Sequence, residues 1–200
     1  VEIESKKITR CWAGGRTETV AEPGGGPNGL AIGPDGALWC TNNGGFLYHE
    51  RDGLLIPGHC PKDYSGGRIE RIDLSTGKVE VIATHCGERL LKGPNDLVFD
   101  KAGNLYFTDL GKTYPTHRDT GGVYFMAAGS STVQELDYNQ ISPNGIGLSP
   151  DEKTVYFADT MTARVWAYDL ESPGAAKQAS PFSKGRVVAG MPDLRYFDSL

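Results

Sequence analysis

The sequence predicts an all-β fold of the propeller class, and three observations lead there. A short motif recurs at blade-sized intervals. Gly26-Pro27-Asn28-Gly29 opens GLAIGPDGALWCTN, Gly93-Pro94-Asn95-Asp96 opens LVFDKAGNLYFTD, and Ser142-Pro143-Asn144-Gly145 opens IGLSPDEKTVYFAD; a partial copy, Phe197-Asp198-Ser199-Leu200, comes last. Each copy reads as turn, polar residue, apolar strand, Gly/Asp turn and second strand, and repeats of this size mean a solenoid or a propeller. Two further strand patterns follow in each unit, and four short antiparallel strands make a propeller blade. Little reads as helix, and 27 Gly and 12 Pro in 200 residues accord with many short strands joined by turns.

In order along the chain, VEIES, KKITRCW and TETVAE alternate or carry β-branched residues, as the last three strands of a blade would. GLAIG, ALWCTN, GRIERIDL and KVEVIAT form the next unit. DLVFD, NLYFTD, GGVYFMA and TVQELDY form the third, and GIGLS, TVYFAD, RVWAYDL and GRVVAG the fourth; a fifth begins at Asp198. The polar residues Asn28, Asn95, Asn144 and Asp198 lie 67, 49 and 54 residues apart. An insertion at residues 46–67, FLYHERDGLLIPGHCPKDYSGG, explains the long first interval. About three full blades and two partial ones are expected, as one domain over residues 1–200. Because a propeller must close to hide its sheet edges, the chain is expected to be truncated at both ends or completed by strands from elsewhere.

The first strand of such a blade runs along the central channel, so residues that begin first strands ring one axis. The insertion 46–67 and the loop 111–121, GKTYPTHRDTG, both join a second strand to a third. Both are therefore expected on the same face as the polar ring, as lids over it. Loops longer than a hairpin needs usually carry function.

Charge and composition exclude several partners. The net charge is −5 with no run of Lys or Arg, so nucleic acid is excluded as a partner. No apolar stretch approaches the ~18 residues of a membrane span. A cytoplasmic monomer or weak homo-oligomer is expected. Cys11, Cys40, Cys60 and Cys86 form no CxxC pair and are expected to be reduced thiols, with Cys40 buried in a strand.

Oxygen groups converging on one axis are what a hard cation needs. Asn95, Asn144 and Asp198 are the candidates, and the alternative is a turn role, since Asn after Pro often bonds its own backbone. Asn144 and Asp198 are read as metal ligands, with Asp198 also placed to take a proton from water; Asn28 is left as a turn residue. Asn42, Asp109 and Asp159 end second strands and are read as structural. His49, His59, His85 and His117 show no HxH or HExxH spacing. Tyr114, His117 and Arg118 lie on the shorter lid and are candidate substrate contacts. GxSxG, Walker and EF-hand signatures are absent.

At these residues the chain resembles the SMP-30/gluconolactonase/LRE family of six-bladed propellers. The resemblance rests on GPNGLAIGPDGALWCTNNGG (26–45), GPNDLVFDKAGNLYFTDLGK (93–112), GGVYF (121–125) and SPNGIGLSPDEKTVYFADT (142–160). It implies an all-β, six-bladed β-propeller that hydrolyses sugar lactones with one divalent cation, calcium first, with magnesium, manganese, zinc or ferrous iron as alternatives. It implies Asn144 and Asp198 as metal ligands, Asp198 as catalytic carboxylate, and Asn95 beside the metal's water or substrate. The family's third ligand, a Glu of the first blade, would precede Val1. The family's Asp follows Pro, whereas here Phe197 precedes Asp198. A non-catalytic NHL- or YWTD-like binding propeller and an esterase or phosphotriesterase on the same fold are the competing readings.

Overall fold

A computed structural model describes residues 1–193 and 195–200. No helix occurs among the described residues. The first hairpin is β1 (Ile8–Cys11) with β2 (Thr17–Ala21). VEIES, expected as a strand, makes only a Glu2–Lys7 bridge: the chain reverses over residues 3–6 with Lys6 at φ 59°. β3 (Pro27–Ile32) and β4 (Leu38–Asn42) follow, then a hairpin of β5 (Tyr48–Arg51) and β6 (Leu54–Pro57) inside the insertion. β7 (Arg68–Ile72) and β8 (Val79–Ala83) complete that blade. A small hairpin, β9 (His85–Cys86) with β10 (Arg89–Leu90), leads to the next.

The third unit is β11 (Pro94–Phe99), β12 (Leu105–Asp109), β13 (Gly121–Met126) and β14 (Gln134–Gln140). The fourth is β15 (Pro143–Leu148), β16 (Thr154–Asp159) and β17 (Arg164–Ser172), with β18 (Ala175–Ala176) as a short flap and β19 (Arg186–Gly190) as the outer strand. Every pairing is antiparallel. The sheets run β3-β4-β7-β8, β11-β12-β13-β14 and β15-β16-β17-β19, as the repeats predict. They do not close on one another into a complete ring.

The first hairpin turn of each blade is made the same way. Gly36, Gly103 and Glu152 take the left-handed conformation at φ 75°, 85° and 58°. Glycine suits that conformation and glutamate does not, and in the third copy Asp151 and Ser149 hold the turn through side-chain hydrogen bonds.

The core lies between blades. All five residues of β12 and all six of β13 are buried, because each of their faces meets a neighbouring sheet. Leu105, Phe107, Tyr124 and Met126 pack with Ile69 and Leu97 on one side, and Tyr106, Val123 and Phe125 with Ile146, Phe157 and Tyr168 on the other. This explains why LYF and VYFM read as continuous apolar runs rather than alternating ones.

Candidate functional site

The inner strands approach so closely that side chains are excluded at two points. A Cβ on Gly29 would lie 2.7 Å from Asp96 Cα, and one on Gly145 would lie 2.5 Å from Asp198 O. The residues before them, Asn28 and Asn144, therefore occupy equivalent places on β3 and β15, with Asn95 on β11 between them. Asn95 and Asn144 are buried, and Asp198 is exposed.

A threonine fixes each of these backbones from the neighbouring blade. Thr41 Oγ1 donates to the Asn95 carbonyl at 2.6 Å, Thr108 Oγ1 donates to the Asn144 carbonyl, and Thr160 Oγ1 donates to the Phe197 carbonyl at 2.7 Å. The same hydroxyls accept N–H bonds from Gly29 at 2.8 Å and Asp96 at 3.2 Å. In the fourth unit the threonine has moved two places, with Ala158 where Thr41 and Thr108 stand in their copies. Thr160 accepts instead from Asn144 Nδ2 at 2.9 Å.

Thr160 thus joins the two predicted ligands. It holds the Asn144 amide on one side and the carbonyl before Asp198 on the other, and Gly145 N–H donates to Asp198 O at 3.3 Å. With its amide nitrogen committed, Asn144 has an oxygen that receives no hydrogen bond among the described residues. An amide oxygen freed in this way is the hard, oxygen type of donor that calcium, magnesium or manganese takes. No group of three or more His, Cys, Asp or Glu side chains gathers among the described residues.

One residue escaped the sequence reading. At the position after the polar residue the repeats carry Gly29, Asp96, Gly145 and Ser199, and only Asp96 brings a carboxylate. That break in the repeat was the available signal. Its Oδ1 accepts from Leu97 N–H at 2.9 Å and its Oδ2 from Ile146 N–H at 3.3 Å, tying β11 to β15. Burial raises its pKa, the two amides oppose that, and the Asp198 carboxylate adds a further upward push.

Asn42, Asp109 and Asp159 have the structural role expected of them. Asn42 Oδ1 accepts from Gly26 N–H at 2.8 Å and Gly44 N–H at 3.0 Å. Asp109 accepts from Lys92, Gly93 and Gly111 N–H at 2.7, 2.7 and 2.8 Å. Asp159 accepts from Ser142 Oγ at 2.6 Å and from the Ser142 and Thr162 amides. Each clamps the segment leading into the inner strand to the end of the second strand. Burial raises the Asp109 pKa, against those three amides and the nearby Lys112 ammonium. All four cysteines are free thiols, and burial pushes Cys40 up to about 12.

The two long loops meet. Cys60 N–H of the first donates to Thr113 O of the second at 2.7 Å. The first loop ends in an apolar tip, with Leu54, Leu55 and Ile56 exposed. In the second, the Tyr114 and His117 rings stack with centroids 4.4 Å apart, and Tyr114 Oη donates to Asp119 Oδ2 at 3.4 Å. Arg118 donates to the carbonyls of Leu110 at 2.8 Å and Asp119 at 3.3 Å, so its guanidinium braces its own loop.

A family model described as SMP-30/gluconolactonase/LRE-like region matches residues 1–199. Among relatives, a gluconolactonase of Zymomonas mobilis is 27% identical over 193 residues, covering 84% of this chain and 45% of that protein. Lactonase drp35 of Staphylococcus aureus is 39% identical over 84 residues, 42% of this chain and 25% of its own length. Among solved structures, a gluconolactonase of Xanthomonas campestris superposes with a TM-score of 0.71 at 21% identity, covering 96% of this chain and 58% of that one. A calcium-binding regucalcin of Agrobacterium tumefaciens gives 0.63 at 22% identity, with coverages of 92% and 52%. The chain spans about half the length of these proteins or less. The fold is the propeller expected from the repeats and the resemblance, seen here as three four-stranded blades and the β1–β2 hairpin of a further one; residues 195–200, where another first strand is expected at Asp198, form no strand.

Proposed function

This chain belongs to the SMP-30/gluconolactonase/LRE-like family, and on that basis we propose that the protein is a metal-dependent lactonase that opens a sugar lactone to its hydroxy acid. The observation that carries the proposal is the Thr160 junction, which holds the Asn144 amide and the segment of Asp198 together while leaving the Asn144 oxygen without a hydrogen bond among the described residues. Asn144 Oδ1 and the Asp198 carboxylate would hold one divalent cation, calcium first, with magnesium, manganese, zinc and ferrous iron as alternatives. The names of the similar proteins, gluconolactonase, lactonase and calcium-binding regucalcin, support the same reading.

When bound, a divalent cation supplies positive charge that polarises the lactone carbonyl and offsets the negative charge of the transition state. Asp198 takes a proton from the attacking water, whose oxygen adds to the carbonyl carbon. The ring C–O bond then breaks, and the proton returns to the departing ring oxygen as a hydroxyl. Asn95 offers amide hydrogen bonds to water or substrate beside Asn144. The lids 46–67 and 111–121 select the lactone, with Tyr114 and His117 as the candidate contacts and Arg118 shaping the loop they stand on.

The test is lactone hydrolysis by the full-length protein, stripped with chelator and titrated with each metal. Stripping should abolish turnover, and Asp198→Ala should lower kcat by about 10²–10³-fold or more. Asn144→Ala should weaken metal binding, with excess metal restoring part of the rate. Full activity in the stripped protein or in Asp198→Ala would overturn the reading.

A further inference from the structure

Lys112 is one of the most deeply buried side chains in the molecule, at 1% exposure, and no salt bridge holds it among the described residues. Burying an ammonium without a counter-ion is costly. What replaces water here comes from the other long loop. Lys112 Nζ donates to Gly45 O at 2.6 Å and to Asn43 Oδ1 at 3.3 Å. It lies 3.9 Å from the centroid of the Phe46 ring and 5.3 Å from that of Tyr64. Two carbonyl-type oxygens and two aromatic faces make a cage for a cation.

The cage is built at a local cost. Asn43 Oδ1 also accepts from Gly45 N–H at 2.8 Å, while Asn43 Nδ2 is buried with no partner. Turning the amide over would set its NH2 group against both the ammonium and the Gly45 N–H, so the orphaned donor is the consequence of pointing oxygen at Lys112. Tyr64 is fixed in turn: its hydroxyl donates to Lys92 O at 2.6 Å and accepts from Gly67 N–H at 3.0 Å. Its ring fills the space beside Gly44, where a Cβ would come within 2.4 Å. Lys112 stands at the start of the second loop, and Asn43, Gly45, Phe46 and Tyr64 frame both ends of the first.

We propose that Lys112 locks the two loops into a single rim, so that residues 46–67 and 111–121 open, close and select substrate as one unit. The catalytic consequence rests on the lactonase reading above; the mechanical one does not. Lys112 is accordingly a positioning residue for specificity.

Lys112→Met keeps the stem and removes the charge and the donors. Amide hydrogen exchange in both loops should accelerate together, by about tenfold, with the strands unchanged. Phe46→Leu, a milder change in the cage wall, should do the same to a smaller degree and keeps the test valid if Lys112→Met does not fold. The ratio of kcat/KM between a compact and a bulky lactone should shift by about tenfold through KM, while calorimetric metal affinity stays the same. Loosening of one loop without the other, or of neither, overturns the proposal. Joint loosening with unchanged selectivity overturns the specificity role. Joint loosening in a protein whose parent hydrolyses no lactone supports the lock and counts against the lactonase reading alone.

Discussion

The Thr41 hydroxyl donates to the Asn95 carbonyl at 2.6 Å, across a blade boundary and 54 positions along the chain. Thr108 makes the equivalent bond to Asn144, and both hydroxyls also accept an amide N–H from their own blade. Each threonine therefore sets the height of the next inner strand relative to its own. The placement of Asn95 and Asn144 is a product of the blade interfaces.

Thr41→Val and Thr108→Val separate structure from binding. Each leaves one part-buried N–H and one buried carbonyl without this partner and should lower stability by about 1–3 kcal/mol in a denaturant titration. Only Thr108→Val should also weaken metal affinity, because only it frees the backbone of Asn144. Equal loss of affinity in both variants would contradict the assignment of Asn144 as a ligand and Asn95 as a neighbour.

Shortening the 46–67 insertion at its β5–β6 tip removes the exposed Leu54, Leu55 and Ile56 and leaves the Lys112 cage in place. Relative rates among lactones should change, and metal affinity should hold. Calorimetry beside a panel of lactones reads both. Loss of metal binding with selectivity intact would place the loop in the wrong role.

Asp109→Ala removes the acceptor for three backbone amides at 2.7–2.8 Å. With each unpaired buried donor costing about 1–3 kcal/mol, the loss should be about 3 kcal/mol or more. A thermal melt measures it, and a change within experimental error would show that water replaces the carboxylate without cost.

Burial holds the Lys112 ammonium down to about 8, from an ordinary value of 10.5, with Asp109, Asp119 and the Cys60 thiol facing it. Tyr64, also against it, is pushed upward by burial. When the rim opens to water, Lys112 regains its ordinary value. Between pH 8 and 10.5 the open form therefore binds more protons than the closed one, and raising the pH favours closure. Loop exchange, corrected for its intrinsic pH dependence, should slow across that window and stay level below it. Lys112→Met should abolish the trend, and Cys60→Ser should retain it if the lysine is its source.

The repeat by itself determined the blade, because turn chemistry and strand pattern are local. Pro before Asn, a left-handed Gly and alternating or fully buried apolar runs dictate four strands wherever they occur. It also placed Asn95, Asn144 and Asp198 at equivalent positions and marked Asn42, Asp109 and Asp159 as structural. VEIES was misread because strand composition cannot form a strand without a partner to pair with, and here the chain reverses at Lys6. Tertiary structure alone decided which side chains of different blades meet. Thr160 takes over a bond that Thr108 makes in its copy, Arg118 spends its guanidinium on its own loop, and Asp96 ties β11 to β15. Lys112 finds its acceptors 67 and 69 positions away. Such contacts arise from the packing of whole blades and of the loops between their strands, and no residue's own propensities encode which neighbour that packing will bring.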